Sequence, residues 1–199
     1  MLALLLALLQ SPSPPKAVDF FPVVPGTVRT FTDGTSETTT DEVEAPVDIG
    51  GTLATPIVGR DGRKRVISTS YYRIDGDTVY LVGYDVKHPL PRAMPILQFN
   101  GKPGKWLFDG GASDAQDAEA LHLSGETKLL RDRLVFGQKR ATIQVTIRAE
   151  IGGGPSGEHD EQVAIYAQGV GLIELTSKAK VGRDSNTTIR RLEKVEEAK

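Results

Sequence analysis

Cysteine is absent from all 199 residues. That excludes disulfides, thiol catalysis, cysteine-ligated zinc and lipid attachment through an N-terminal cysteine. It leaves export open, because a chain of this size can bury a sufficient core without cross-links. An excess of one charge sign is also missing: the formal net charge is −2. A protein that binds a phosphate backbone needs a basic surplus, so nucleic acid is not an expected partner. The densest basic run, Arg60, Arg63, Lys64 and Arg65, surrounds Asp61-Gly62 and reads as a solvated hairpin tip. Long apolar runs are lacking too. The longest, Leu2 to Leu9, is far short of the roughly 20 residues of a membrane span, and no transmembrane segment is expected.

That short run has another reading. Gln10-Ser11-Pro12-Ser13-Pro14-Pro15 follows it, a break that a buried first helix would not carry. The pattern fits the apolar region of a signal peptide, although no Lys or Arg precedes it and no clean small-residue cleavage site follows. The expectation is therefore an exported protein of the periplasm, the cell envelope or the medium. Residues 1–17 read as signal peptide and Pro-rich linker, and 18–199 as one domain. Hydrophobic residues at 39% and charged residues at 25% are globular proportions.

Turn punctuation dominates the remainder. Asp33-Gly34, Asp61-Gly62 and Asp75-Gly76-Asp77 separate short β-branched and aromatic runs, the strongest local hairpin signal. The runs are Val28 to Thr32, Thr35 to Thr40, Val43 to Ile49, Thr52 to Val58, Arg65 to Ile74 and Thr78 to Tyr84. Residues 87–104 hold four prolines and read as a loop or an edge crossing, since proline cannot donate to a ladder. Thr142 to Ile151 alternates strictly, which predicts Ile143, Val145 and Ile147 on the core face and Gln144 and Thr146 in water. Gly137 to Arg140 reads as the turn before it, with Leu129 to Phe136 as its partner. Gln162 to Ala167 and Leu172 to Lys178 flank a glycine turn, and the tail from Thr187 reads as a last strand. Ala112 to Leu121 is the one short helical candidate besides that tail. The fold class expected is all-β or β-rich α+β, a strongly curved antiparallel sheet or half-barrel built from meandering hairpins.

Motifs for chemistry are sparse. Trp106-Leu107-Phe108-Asp109-Gly110-Gly111-Ala112-Ser113 looks like the Asp-Thr/Ser-Gly-Ala-Ser loop of retropepsin-like aspartic proteases, where two carboxylates share a proton. Gly110 replaces the hydroxyl residue that braces such a loop, so Asp109 is expected to shape a turn, partly exposed and without a carboxylate partner. The acidic residues Asp114, Asp117 and Glu119 lack calcium-loop spacing, and His88, His122 and His159 show no metal-ligand spacing. No cofactor and no metal are expected.

Several elements occur in the order seen in a group of uncharacterised bacterial exported proteins. Asp19 to Thr27 resembles their "YFPLxxGxxW" opening, and Tyr71 to Tyr80 their central hairpin. Pro95-Ile96-Leu97 with Gly104-Lys105-Trp106 resembles their second Pro-to-Trp element, and Ala167 to Ile173 their closing "ApGVGlVk" element. Arg29 stands where the first Trp is usual, and Gln168 replaces Pro. The resemblance implies an envelope protein with a highly curved antiparallel sheet and implies no activity.

Aromatics amount to only 6% of the chain. Tyr72, Tyr80, Tyr84, Trp106 and Tyr166 are the candidate ligand-binding residues if they line a concave face; ordinary sheet core is the plainer reading. The function expected is a non-catalytic envelope or secreted binding protein whose partner is an envelope protein or an apolar small molecule. A structural or assembly module and, behind it, an aspartic hydrolase using Asp109 are the alternatives. N-terminal sequencing of exported material is expected to find a start beyond Leu9; an intact Met1 on the folded protein would refute the signal-peptide reading.

Overall fold

A computed structural model describes residues 13–35, 37–111, 120–151, 158–181 and 184–197. The described chain is almost entirely antiparallel sheet. One short helix, α1 (Ala17–Phe20), precedes β1 (Val28–Thr32), β2 (Thr38–Val43), β3 (Val47–Ile49), β4 (Thr52–Arg60), β5 (Val66–Asp75), β6 (Thr78–Gly83) and β7 (Pro89–Gln98). The second half comprises β8 (Gly104–Gly111), β9 (Ala120–Leu129), β10 (Arg133–Val135), β11 (Gln138–Arg140), β12 (Thr142–Ile151), β13 (Glu158–Ala167), β14 (Gly171–Val181) and β15 (Asp184–Glu196). The main path runs β7-β6-β5-β4-β2-β1-β15-β14-β13-β12-β9-β8, with β3 paired to β4 beside it. Two meanders thus join where the first strand meets the last, Val28 opposite Glu196. The sheet curls until its free edges, β7 and β8, approach each other, and it is nearly closed into a barrel.

The three Asp-Gly signals each form a hairpin, between β1 and β2, β4 and β5, and β5 and β6. At the basic tip the Asp61 carboxylate accepts the backbone N–H groups of Arg63 and Arg65, both at 2.9 Å, which fixes the turn. The prolines of 87–104 fall mainly on β7, which pairs on one side only with β6. An edge strand tolerates missing donors, so the edge reading holds and the loop reading does not.

Among the described residues, no backbone ladder closes the β7–β8 seam. The Trp106 indole N–H donates to the Pro95 carbonyl at 3.2 Å, and the Thr127 hydroxyl donates to the Gln98 carbonyl at 2.8 Å. Arg92 donates to the Asp109 carbonyl at 3.1 Å and lies over the Phe108 ring. Carbonyls of β7 thus receive side-chain donors in place of a neighbouring strand. The main core lies inside the barrel and includes Val79, Leu97, Phe99, Trp106, Ile143 and Val145. A second cluster, Ile49, Ala54, Tyr71 and Val82, packs β3 against the opposite face of the first meander.

The N-terminal segment seals one end of the barrel. Ala17, read from sequence as linker, is fully buried, and its N–H donates to the Phe99 carbonyl at 3.0 Å. Phe20 packs edge-on against Phe99 at 5.3 Å between centroids. The Gly169 N–H donates to the Asp19 carbonyl at 2.7 Å, tying this plug to the second meander.

Three expectations need correction. The partners of β12 are β9 and β13; of the expected partner Leu129 to Phe136, Leu129 ends β9 and pairs with Ile143, and the stretch beyond it does not continue the ladder. Within that stretch and the expected turn, β10 and β11 form a separate hairpin instead, turning at Phe136-Gly137 with φ of 49° and 76°. Ile143 and Val145 are buried as expected, but so is Thr146, at 5% exposure. It lies on the outward face between its cross-strand partners Glu126 and Val163, and the Gln144 amide donates to its hydroxyl at 3.3 Å. Longer neighbours cover a short side chain on a central strand. In the helical candidate, Ala120 and Leu121 belong to β9 and 112–119 lie outside the described residues, as do the Leu2 to Leu9 run and the acidic residues Asp114, Asp117 and Glu119.

One glycine carries the seam. A Cβ on Gly125 would overlap the Trp106 ring, so the indole occupies the space any side chain would need. Gly125→Ala is expected to lower stability by about 1–3 kcal/mol through overpacking, read as a lower denaturant midpoint at unchanged slope. An unchanged midpoint would mean that Trp106 moves aside without loss.

Candidate functional site

The inward faces of both meanders leave a cavity of about 470 Å³. Its wall on one side is aliphatic, built by Met94 and Ile96 of β7, Leu121 and Leu123 of β9, and Val145 and Ile147 of β12. The period of two delivers these residues inward from successive strands. Small residues at Ala149 and Ala164 keep the space from being filled. Phe21 forms part of the floor, 5.1 Å from the Tyr72 ring and 6.1 Å from the Tyr166 ring.

Charged groups enter the cavity from β1, β2 and β15. Arg29 is 6% exposed, donates its Nε–H to the Val170 carbonyl at 3.0 Å and donates from Nη2 to the Pro22 carbonyl at 2.7 Å. Burial lowers its pKa, and the charge of Asp41, its cross-strand partner, raises it. Arg190 donates to Asp41 at 2.9 Å and to the Thr39 hydroxyl at 3.1 Å, with its guanidinium 4.4 Å above Phe31. Its Nε is buried and has no hydrogen-bond partner among the described residues. On β13, opposite Ala149 of β12, the Asp160 carboxylate accepts bonds from Gln162 at 2.8 Å and Ser177 at 3.2 Å.

Of the five aromatic candidates, Tyr72, Tyr84 and Tyr166 line this cavity, with Tyr84 more than half exposed toward the open side. Tyr80 packs against the β3 cluster under Arg73, and Trp106 lies in the seam. Sequence reasoning missed Arg29, Asp41 and Arg190. A signal was present: Arg29 shares the parity of Phe31 along β1, which places a charge on the inward face.

Asp109 lies within β8 rather than in a turn. The strand continues through Gly110 and Gly111, which pair with Leu121 and Ala120. Its side chain is 77% exposed and one carboxylate oxygen is 2.7 Å from His122 Nδ1. The outward row continues through Glu150 to His159, 3.7 Å apart. The row alternates exposed carboxylate and imidazole side chains across neighbouring strands, and such surface pairs contribute little energy. Among the described residues Asp109 therefore faces an imidazole and no second carboxylate of the kind an aspartic dyad needs.

Among the described residues, no cluster of three or more His, Asp or Glu side chains is placed to hold a metal ion, and no helix is long and apolar enough to cross a membrane. No protein-family model matches the chain, and no curated protein does. Two crystal structures match over most of its length. One is a protein predicted to be exported, with a YmcC-like fold, from Bacteroides fragilis: 10% identity, TM-score 0.40, covering 89% of this chain and 99% of that one. The other is a predicted lipoprotein from Parabacteroides distasonis: 11% identity, TM-score 0.43, covering 89% of this chain and 98% of that one. Likeness this distant carries no functional information.

Burial pushes the Tyr72 hydroxyl up to about 12 and also raises that of Tyr166. The folded state therefore holds protons that the unfolded chain gives up near pH 10, so this stability is present below pH 10 and lost as pH rises toward 12. The melting temperature is expected to fall between pH 10 and 12. The fall should be smaller in the variant carrying Tyr72→Phe and Tyr166→Phe; equal slopes in both proteins would refute the assignment.

Proposed function

We propose that this chain is a non-catalytic binding protein of the cell envelope or the medium that holds one small apolar or amphiphilic molecule inside its barrel. The observation that carries the reading is the unfilled cavity of about 470 Å³ behind an aliphatic wall. Ligand sites are concave, mostly apolar and of this size, with a few placed polar groups. A purely structural module would gain stability by filling the same space with its own side chains. Export rests on the sequence: the short Leu/Ala run before a Ser/Pro break, and the resemblance to exported proteins.

Native mass spectrometry of the purified full chain tests the reading. An adduct in the range of small lipids is expected, together with uptake of a fluorescent apolar probe. Ala149→Trp should fill the cavity and abolish both while preserving the β-sheet circular dichroism spectrum. A chain without adduct or probe uptake, made more stable by Ala149→Trp, would instead be the structural module.

A further inference from the structure

Arg29 is a buried charge without an ion pair. No carboxylate lies within 4 Å of it among the described residues, and its two hydrogen bonds go to backbone carbonyls. A guanidinium carries five N–H donors and cannot shed its proton, so burial leaves it charged. Buried charges ordinarily have a partner, because desolvation of a lone ion is costly. The nearest candidate, Asp41, is engaged by Arg190. Arg29 is also held in place: Gly171 has φ +98°, and a Cβ there would come within 3.2 Å of its Nε. The group is positioned, lines the cavity and, among the described residues, has no carboxylate of its own within 4 Å.

Two further facts set the chemistry of what is missing. The polar end presents Arg29 and Arg190 against Asp41, a surplus of one positive charge, and the buried Nε of Arg190 is a donor without an acceptor among the described residues. The other acids of the cavity, Glu158 and Asp160, are far off. Asp160 lies seven residues along β13 from Ala167, which pairs with Gly171 beside Arg29, roughly 20 Å of strand. The aliphatic wall of β7, β9 and β12 faces the same space.

Resting on the binding reading above, we infer that Arg29 anchors the headgroup of a single-chain amphiphile bearing one negative charge, a carboxylate on an alkyl chain, whose tail lies against the aliphatic wall. One unpaired guanidinium matches a monoanion, and a carboxylate fits its planar donor edge.

Isothermal titration of the full chain with four probes of equal tail length separates the possibilities: dodecanoate, dodecanol, dodecyl phosphate and dodecyltrimethylammonium. Dodecanoate is expected to bind at least tenfold more tightly than dodecanol, and the ammonium least. Arg29→Met should bring the acid-to-alcohol ratio close to one, and Arg29→Lys should restore part of it. If Arg29→Met does not fold, the ranking on the unaltered chain decides. Equal binding of acid and alcohol would overturn the headgroup assignment and leave the cavity reading standing. Tighter binding of the phosphate would overturn the carboxylate. Binding of none of the four would sink both readings.

Discussion

A curled antiparallel sheet has to bring its two ends together, and here one of them carries three prolines. β7 offers no complete row of N–H groups to β8, so the barrel cannot close by a ladder. It closes by side chains: the Trp106 indole to Pro95, the Thr127 hydroxyl to Gln98, and Arg92 to Asp109. Each such bond contributes on the order of 1 kcal/mol, and together they do what a strand pair would do elsewhere. The prolines also blunt an edge that would otherwise invite another chain. The inward position of Trp106 follows from this closure, and so does the demand for glycine at position 125.

The shape of the interior depends on that seam and on the N-terminal plug. Strand curvature brings β12 opposite β1 and β5, and residues 17–22 fill the end where Phe21 meets Tyr72 and Tyr166. Between plug and open side, small residues at 149 and 164 leave space that leucine or phenylalanine would have taken. The two faces of the first meander are used differently. Tyr72 and Leu81 point to the cavity while Tyr71 and Val82 pack under β3, so one strand pair supports both a lining and a core.

Much of this was legible locally. Asp-Gly turns specify hairpins through their own backbone geometry, and the period of two in Thr142 to Ile151 fixed which face turns inward. The strand at the C-terminus was legible from its β-rich context, although Ile189, Leu192 and Val195 have helical spacing. What escaped depends on partners remote in sequence. Arg29 and Val170 are 141 residues apart, and Arg190 and Asp41 are 149 apart, so no local pattern announces either contact. The β9–β12 pairing skips over the β10–β11 hairpin, which adjacency alone cannot reveal. Thr146 was misplaced because alternation states direction, not coverage. Asp109-Gly110-Gly111 reads as a turn from composition, yet the partner strand β9 holds it extended.

The cavity and Arg29 bear on function jointly. Unfilled apolar space forgoes the dispersion contacts of a close-packed interior. A desolvated guanidinium that shares its nearest carboxylate, Asp41, with Arg190 gains only part of the Coulomb attraction that would offset its burial. Folding alone rewards neither feature, and substitution by larger aliphatic residues would remove both. They also share one chamber, lined by the aliphatic wall and by the charged groups. A molecule with an alkyl chain and a single negative charge removes both costs in one binding event, whereas a neutral hydrocarbon would remove only the first and a free anion only the second. The pairing of the two defects therefore favours an amphiphile over either simpler ligand.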